Sequence, residues 1–525
     1  MPTITKNKII YDEKDWLAGL HPQYGSKTIP QKFGRYSRQE YNFNPFDDLG
    51  YAKNGFLGVN FLNNNRVTSV VSKVIEGSDY FYYGIDAKNK FYRFSNIGAS
   101  YGDVDSTAIF PYDLGTKSLT SDIIQHFAGN SKINAIFVTY NTDTIGTGLS
   151  YSIDDKTSID ADYLTTKPNG AFTFGNAYPH PLCVGYDDTL YIGDGNRLHC
   201  YDYANTASAD GKIFQDVLIL PDNYVIKSII KLQPRSLVIL AQKGIYGVGE
   251  VAKAFFWDYL SSDPYQIKEI NNRMIITAFE YRGTIGCLSF SGQNKMNVKI
   301  FNGSEFEILF KLRNLELYST GEPLIGSVDV NENEIYIHLT DQNKGYICKY
   351  GNNLGVSSKL NIVGRSIAGI SGCKAGFVKY IPQYNNLCFS TGKDDGTSAT
   401  IQWQDTSKYA TDGYWYSDLT DIGDERIRIT GITVYFADEF TGGRTISLSL
   451  TDRYTSYAIK GLTNLATVTL TNRIYRVKPF NNTGDTLIPP LDGVGIKLDW
   501  RAGTGSSSTP IINKIVLDYE PVKIN

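Results

Sequence analysis

With 525 residues and 51 Lys+Arg against 54 Asp+Glu, the chain has a formal net charge of −3 and lacks a basic field that could hold nucleic acid by its phosphates. Charged residues make up 20% and hydrophobic ones 42%, which excludes a disordered chain and allows roughly two to four domains. The 38 Tyr, 26 Phe and 49 Gly, set against 3 Met, favour pleated half-buried surfaces joined by tight turns, so the fold class expected is all-β.

The chain opens with MPTITKNKIIYDEKDW, which has lysines but no apolar core of the length a signal peptide needs, so standard secretory export is not expected. Residues 1–59 alternate polar stretches with isolated aromatics and end in YNFNPFDDLGYAKNG. Pro45 and the glycines break any regular element, yet Phe43, Phe46, Tyr51 and Phe56 need cover. An extended N-terminal arm, ordered by docking its aromatics on the rest of the chain or on a neighbouring subunit, satisfies both.

From residue 60 to 417 a hairpin-like unit recurs. Its first runs are FYYGI from Phe81, IFVTY from Ile136, LYIG from Leu190, VILA from Val238, CLSF from Cys287, IYIHLT from Ile335 and LCFST from Leu387, spaced about 51 residues apart. Second runs follow each: KFYRF, GLSYSI, RLHCY, GIYGV, KMNVKIF, KGYICKY and ATIQW. Turn signals such as Asp194-Gly195-Asn196 and Gln242-Lys243-Gly244 separate them. Further apolar runs precede most units, for example VTSVVSKVI, YVIKSIIKL and RMIITAFEY. A repeat of this length with three or four short strands is the size of one propeller blade, and blades cover one another only in a closed ring. The spacing therefore predicts a β-propeller of about seven blades. Two short helices are expected between units, at Ser118–Gly129 and Val251–Ser262.

Residues 418–525 change pattern. RIRITGITVYFA, GGRTISLSLTD, TSYAI, LATVTLTN, RIYRVKPF, GVGIKLDW and IINKIVLDYEP alternate between Gly-, Asn- and Thr-rich turns such as Thr441-Gly442-Gly443, which predicts a C-terminal β-sandwich.

Chemistry leaves few marks. The chain has no G-x-S-x-G elbow, no phosphate-binding P-loop and no H-E-x-x-H helix. The five histidines, His21, His126, His180, His199 and His338, are scattered, and none is paired at metal-ligand spacing. Cys183, Cys200, Cys287, Cys348, Cys373 and Cys388 show no C-x-x-C pair and read as buried reduced thiols. Asp329-Val330-Asn331-Glu332-Asn333 has the alternating oxygens of a calcium loop, but Glu334 and Thr340 stand where its Gly and bidentate Glu belong, so a polar turn is expected. Lys393–Trp403 faintly resembles the Asp-containing turns of sialidase propellers, and Arg473–Lys478 reads as a solvated strand face. No catalytic, cofactor-binding or metal-ligating residue is singled out, and a non-enzymatic role is expected.

The entry NPFDDLGYAKNG, blades of the LYIGDGNRLHCYD kind and the closing span from RIRITGITVYF to PIINKIVLDYEP together resemble the propeller-bearing tail proteins of tailed bacteriophages. The resemblance implies a structural virion protein of nozzle, hub or tube-end type, assembled in the host cytoplasm as a homo-oligomeric ring around the DNA exit channel. Its implied partners are copies of itself, neighbouring tail, connector or portal-adaptor proteins, tail fibres, and DNA passing without sequence-specific contact. No cofactor and no membrane-spanning segment are implied. The alternative is a carbohydrate-binding or sialidase-like propeller, since Tyr and Trp faces stack on sugar rings and a propeller offers a central funnel.

Overall fold

The computed structural model describes residues 7–11, the strands between residues 37 and 152, and most of 163–522; side chains are described for residues 7–11 and for most of 164–522. The fold is nearly all β. Strands β1 (Asn7–Tyr11), β2 (Ser37–Tyr41), the short pair β3 (Phe43–Asn44) and β4 (Tyr51–Ala52), and β5 (Asn54–Asn60) come first. An antiparallel sheet β6 (Val67–Ile75), β7 (Asp79–Asp86), β8 (Lys90–Ser95) and β9 (Tyr112–Asp113) follows. The next holds β10 (Phe127–Asn130), β11 (Ala135–Tyr140) and β12 (Gly148–Ser152), before a single-turn helix α1 (Tyr163–Thr166).

Three sheets of four strands succeed one another. They are β13 (Leu182–Val184), β14 (Leu190–Asp194), β15 (Arg197–Asp202), β16 (Lys212–Ile219); β17 (Tyr224–Leu232), β18 (Ser236–Lys243), β19 (Lys253–Trp257), β20 (Gln266–Glu269); and β21 (Met274–Tyr281), β22 (Thr284–Phe290), β23 (Met296–Phe301), β24 (Phe306–Leu312). The series continues with the pairs β25 (Val328–Asn331) and β26 (Glu334–Thr340), then β27 (Gly345–Gly351) and β28 (Lys359–Arg365). Strands β29 (Lys374–Ile381), β30 (Asn386–Gly392) and β31 (Ala399–Tyr409) form a sheet whose fourth strand is β5. The remaining strands are β32 (Asp412–Ser417), β33 (Arg426–Phe436), β34 (Thr445–Thr451), β35 (Ser456–Ala458), β36 (Ile474–Val477), β37 (Gly495–Arg501) and β38 (Ile512–Val522).

The chain divides into two compact units, one of Met1–Phe56, Tyr346–Arg365 and Gln404–Asn525, the other of Leu57–Gly345 and Ser366–Trp403. These bounds differ from the three segments expected at 1–59, 60–417 and 418–525. In the larger unit the first strand of each successive sheet lies beside the first strand of the next. The order is β6, β10, β13, β17, β21, β25, β29 and back to β6.

Inner strands of the larger unit such as β14, β18 and β22 are buried along nearly their whole length, which is why they read as unbroken apolar runs. Along β18, Leu237, Ile239 and Ala241 join Tyr191, Leu198 and Leu218 of the preceding sheet. The intervening Val238 and Leu240 join Ile275, Ile285 and Phe301 of the following one. The same alternation corrects the helix expected at Val251–Ser262. Phe255 and Trp257 point to the first cluster and Ala254 and Phe256 to the second, so period-2 burial makes this segment strand β19. Of the other expected helix, Phe127–Gly129 belongs to β10, and residues 118–126 lie outside the described residues.

Gly286 shows how tightly a sheet is fitted. It faces Phe279 across the β21–β22 ladder, and a Cβ on it would fall onto the Phe279 ring. A Gly286→Ala variant is expected to lose about 1–3 kcal/mol of stability, the range for overfilling a packed core, as read by urea denaturation.

The smaller unit carries two sheets, ordered β1-β38-β33-β36 and β2-β32-β37-β34-β35. Strict alternation along β34 buries Ile446, Leu448 and Leu450. One cluster unites these with Ile427 and Val434 of β33, Trp500 of β37 and Leu517 of β38. Of the runs expected as strands here, six are strands; LATVTLTN makes only isolated bridges, Leu465 to Ile446 and Val468 to Phe440. Residues 7–11, expected within an extended arm, pair in register with β38 from Asn7–Tyr519 to Tyr11–Ile515. Ile9 and Tyr11 point into the shared cluster while Lys8 and Ile10 face solvent. No helix among the described residues is long and apolar enough to cross a membrane.

Candidate functional site

Most residues that the sequence singles out are engaged in packing. His338 on β26 meets Thr391 Oγ1 at 2.9 Å through Nε2 and lies edge-on to Phe389. His21 and His126 lie outside the described residues. All six cysteines are free; five are buried and Cys183 is half-buried. Burial pushes the Cys183, Cys200 and Cys287 thiols up to about 12, so thiolate chemistry is suppressed at neutral pH.

Asp329 does not point into a calcium loop. Its carboxylate accepts from Lys379 Nζ at 2.8 Å and from the Tyr380 backbone N–H at 2.7 Å, tying β25 to β29. Asn331 and Glu334 close the β25–β26 turn, with Glu332 at φ +34°. Lys393 follows β30, and residues 394–398 lie outside the described residues. The run Arg473–Lys478 forms β36, whose residues alternate between exposed and half-buried. Asn302 caps its own turn, Oδ1 accepting from the N–H groups of Ser304 and Glu305.

Among the described residues, several titratable side chains converge at the sheet β13–β16. Gly195, at φ +60°, is the first of two residues linking Asp194 to Arg197, a type II′ hairpin turn that only glycine enters freely. The turn sets the Asp194 carboxylate against the segment before β13, where it accepts the Gly175 N–H at 3.0 Å. His180 in that segment lies 2.9 Å from Gly193 O through Nδ1 and 2.7 Å from Gly175 O through Nε2. Its Nδ1 is also 3.7 Å from Asp194 Oδ1.

His199 enters the same cluster from β15. The ladder to β16 slips between Leu198 and Cys200, and His199 occupies the slip. Its Nδ1 accepts the backbone N–H of Asp216 at 3.1 Å, which places the ring proton on Nε2. That Nε2 is buried without a hydrogen-bond partner, 3.9 Å from Asp194 Oδ2. Asp216, at φ +54°, pairs with Arg197 at 2.5 Å and holds Oδ1 3.8 Å from His199 Nδ1. Phe172 and Phe174 close the cluster, their rings 4.6 and 5.8 Å from that of His199.

Desolvation dominates the electrostatics. Burial lowers His180, against the pull of Asp194 and two carbonyls. It lowers His199 to about 4, against Asp194 and Asp216. Both imidazoles are therefore held toward the neutral form. The hydrogen bonds of this cluster end largely on the backbone of Gly175, Gly193 and Asp216. Spacing along the chain conceals it: His180, Asp194 and His199 meet only because a hairpin folds back beside its own lead-in segment.

Three lysines, Lys227, Lys299 and Lys349, are also buried. Lys227 sits in the slip of β17 between Ile226 and Ser228, where desolvation lowers its ammonium to about 8. Lys299 Nζ donates to Ile270 O. Among the described residues no group of three or more His, Cys, Asp or Glu side chains could hold a metal ion. No protein-family model matches the chain, and no curated protein matches it.

Proposed function

We propose that the larger unit is a seven-bladed β-propeller and the smaller a β-sandwich, and that the chain is a non-enzymatic structural protein of a bacteriophage tail. In this reading it is a nozzle, hub or tube-end component that forms a homo-oligomeric ring around the DNA exit channel. The observation that carries the propeller is the circuit of first strands from β6 through β29 and back to β6, together with β5 completing the last sheet. A strand that comes early in the chain and finishes the last sheet holds the two ends of the circuit together, so neither peels without breaking a ladder. The same sewing recurs in the smaller unit, where β1 and β2 complete sheets made of residues from 412 onward. A net charge of −3 suits a wall past which DNA slides, because a strongly basic wall would retain it.

The experiment is assembly. Purified protein is expected to form closed rings by light scattering and negative-stain microscopy, and to join isolated connector or tail proteins. A monomer at all concentrations that joins neither is the result that removes this reading.

A carbohydrate-binding propeller is the second reading, favoured by the chain's 38 Tyr and 5 Trp, residue types whose ring faces stack on sugars. Retention of host-surface polysaccharide by the protein would favour it.

A further inference from the structure

The cluster around His199 stands apart from the assembly role and sets one buried imidazole between the carboxylates of Asp194 and Asp216. We propose that His199 is a protonation latch: in the neutral form it locks Phe172–Gly175 and His180–Pro181 to the β14–β15 hairpin, and its protonation on acidification releases them.

The neutral state is specified by geometry. His199 Nδ1 is the acceptor for the Asp216 N–H, a donor orphaned by the slip in the β15–β16 ladder and held at an unusual positive φ. A proton added at Nδ1 turns this acceptor into a donor, so two N–H groups then face each other across 3.1 Å. The new imidazolium is drawn instead to carboxylates within reach, Asp216 Oδ1 at 3.8 Å from Nδ1 and Asp194 Oδ2 at 3.9 Å from Nε2.

Asp194 transmits the change, because the carboxylate that would turn toward His199 is the one that accepts the Gly175 N–H. His180 shares it at 3.7 Å; its two ring nitrogens lie beside the carbonyls of Gly193 and Gly175, and the neutral ring donates to one of them at a time. Gly193 N–H in turn donates to Pro181 O at 3.0 Å. Phe172 and Phe174 rest on the His199 ring itself, so a swing of the ring removes their support. The charged groups facing His199 are thus Asp194 and Asp216, which favour the imidazolium, and His180 and Arg197, which oppose it. Burial outweighs them all.

The direction follows by linkage. In the latched state His199 titrates at about 4, whereas a released ring returns toward its ordinary value of 6.5. The released state therefore binds more protons as pH falls from 6.5 to 4, and acid favours release. At pH 4.5 the release equilibrium is expected to rise about 70-fold over that at pH 7.5, for a ring fully rehydrated on release.

Hydrogen exchange of the full-length protein, read on peptides spanning 171–182 and corrected for intrinsic rates, tests this at the two pH values. Wild-type protein should lose protection in these peptides at pH 4.5, with little change in β17–β20. His199→Gln offers a side-chain oxygen to the Asp216 N–H but cannot titrate, and should keep its protection in acid. Loss of protection in His199→Gln equal to that of wild type would overturn the latch, as would unchanged protection in wild type. Should the variant not fold, histidine C2 deuterium exchange on the wild type decides. The His199 titration midpoint and the midpoint for release of 171–182 must coincide, and separate midpoints refute the proposal.

Discussion

A Tyr11→Ala variant is expected to lose about 3–5 kcal/mol of stability in the smaller unit, the range for emptying a fully buried aromatic site. Tyr11 is 0% exposed, donates its hydroxyl to Val494 O at 3.2 Å and lies edge-on to Trp415 at 6.3 Å. With Ile9 it is an integral part of the cluster containing Trp500 and Leu517. Tyr11→Phe keeps the ring and loses only the hydroxyl bond, so about 1 kcal/mol is expected. Deleting residues 1–11 removes both core side chains and the edge strand of a four-stranded sheet. Since a whole domain has about 5–15 kcal/mol in hand, the deletion should cost much of the cooperative transition. Urea unfolding followed by tryptophan fluorescence and calorimetry measures all three variants. Equal midpoints for the deletion and the full-length chain would show that β1 is an ornament rather than a member of the sheet.

That result bears on what the sequence could disclose. The runs at 445–451 and 496–501 announce their strands because each alternates residue by residue between a buried and a more open side. Asp194-Gly195-Asn196 announces its hairpin for a local reason too, the backbone freedom that the turn demands of Gly195. By contrast NKIIY carries only a short alternation, and nothing within it records a partner at Tyr519–Ile515. Strand pairing over such a separation is decided by which sheet edge remains open after the rest has folded. The segment KAFFW misleads for the opposite reason: with both faces buried it has no polar side, and an unbroken apolar run looks alike in helix and strand. The His180–Asp194–His199 cluster is hidden in a third way. Each residue is ordinary alone, and their meeting depends on the lead-in to β13 lying against a hairpin that it precedes by many residues.

The second large effect is expected at β5, from proline substitutions at Gly58 and Val59. Neighbouring residues of an edge strand alternate, one N–H pointing at the ladder and the next away from it. One of the two prolines must therefore delete a bond to β31 and leave a carbonyl unmet, whereas the other is placed as prolines are on natural sheet edges. The damaging one should cost about 2–4 kcal/mol, from the lost bond, the orphaned acceptor and the disturbed ladder, and its neighbour less than about 1 kcal/mol. More telling is where the damage spreads. Because β29 of that last sheet lies beside β6 of the first, a loosened β5 should raise hydrogen exchange in β29–β31 and in β6 together. The sheet β17–β20, on the far part of the circuit, should respond least. Exchange that rises only in residues 399–409 would mean that β5 is a passive cover, and two equally tolerated prolines would mean the same. A joint response of β29–β31 and β6 would instead identify β5 as the strand on which closure of the circuit depends.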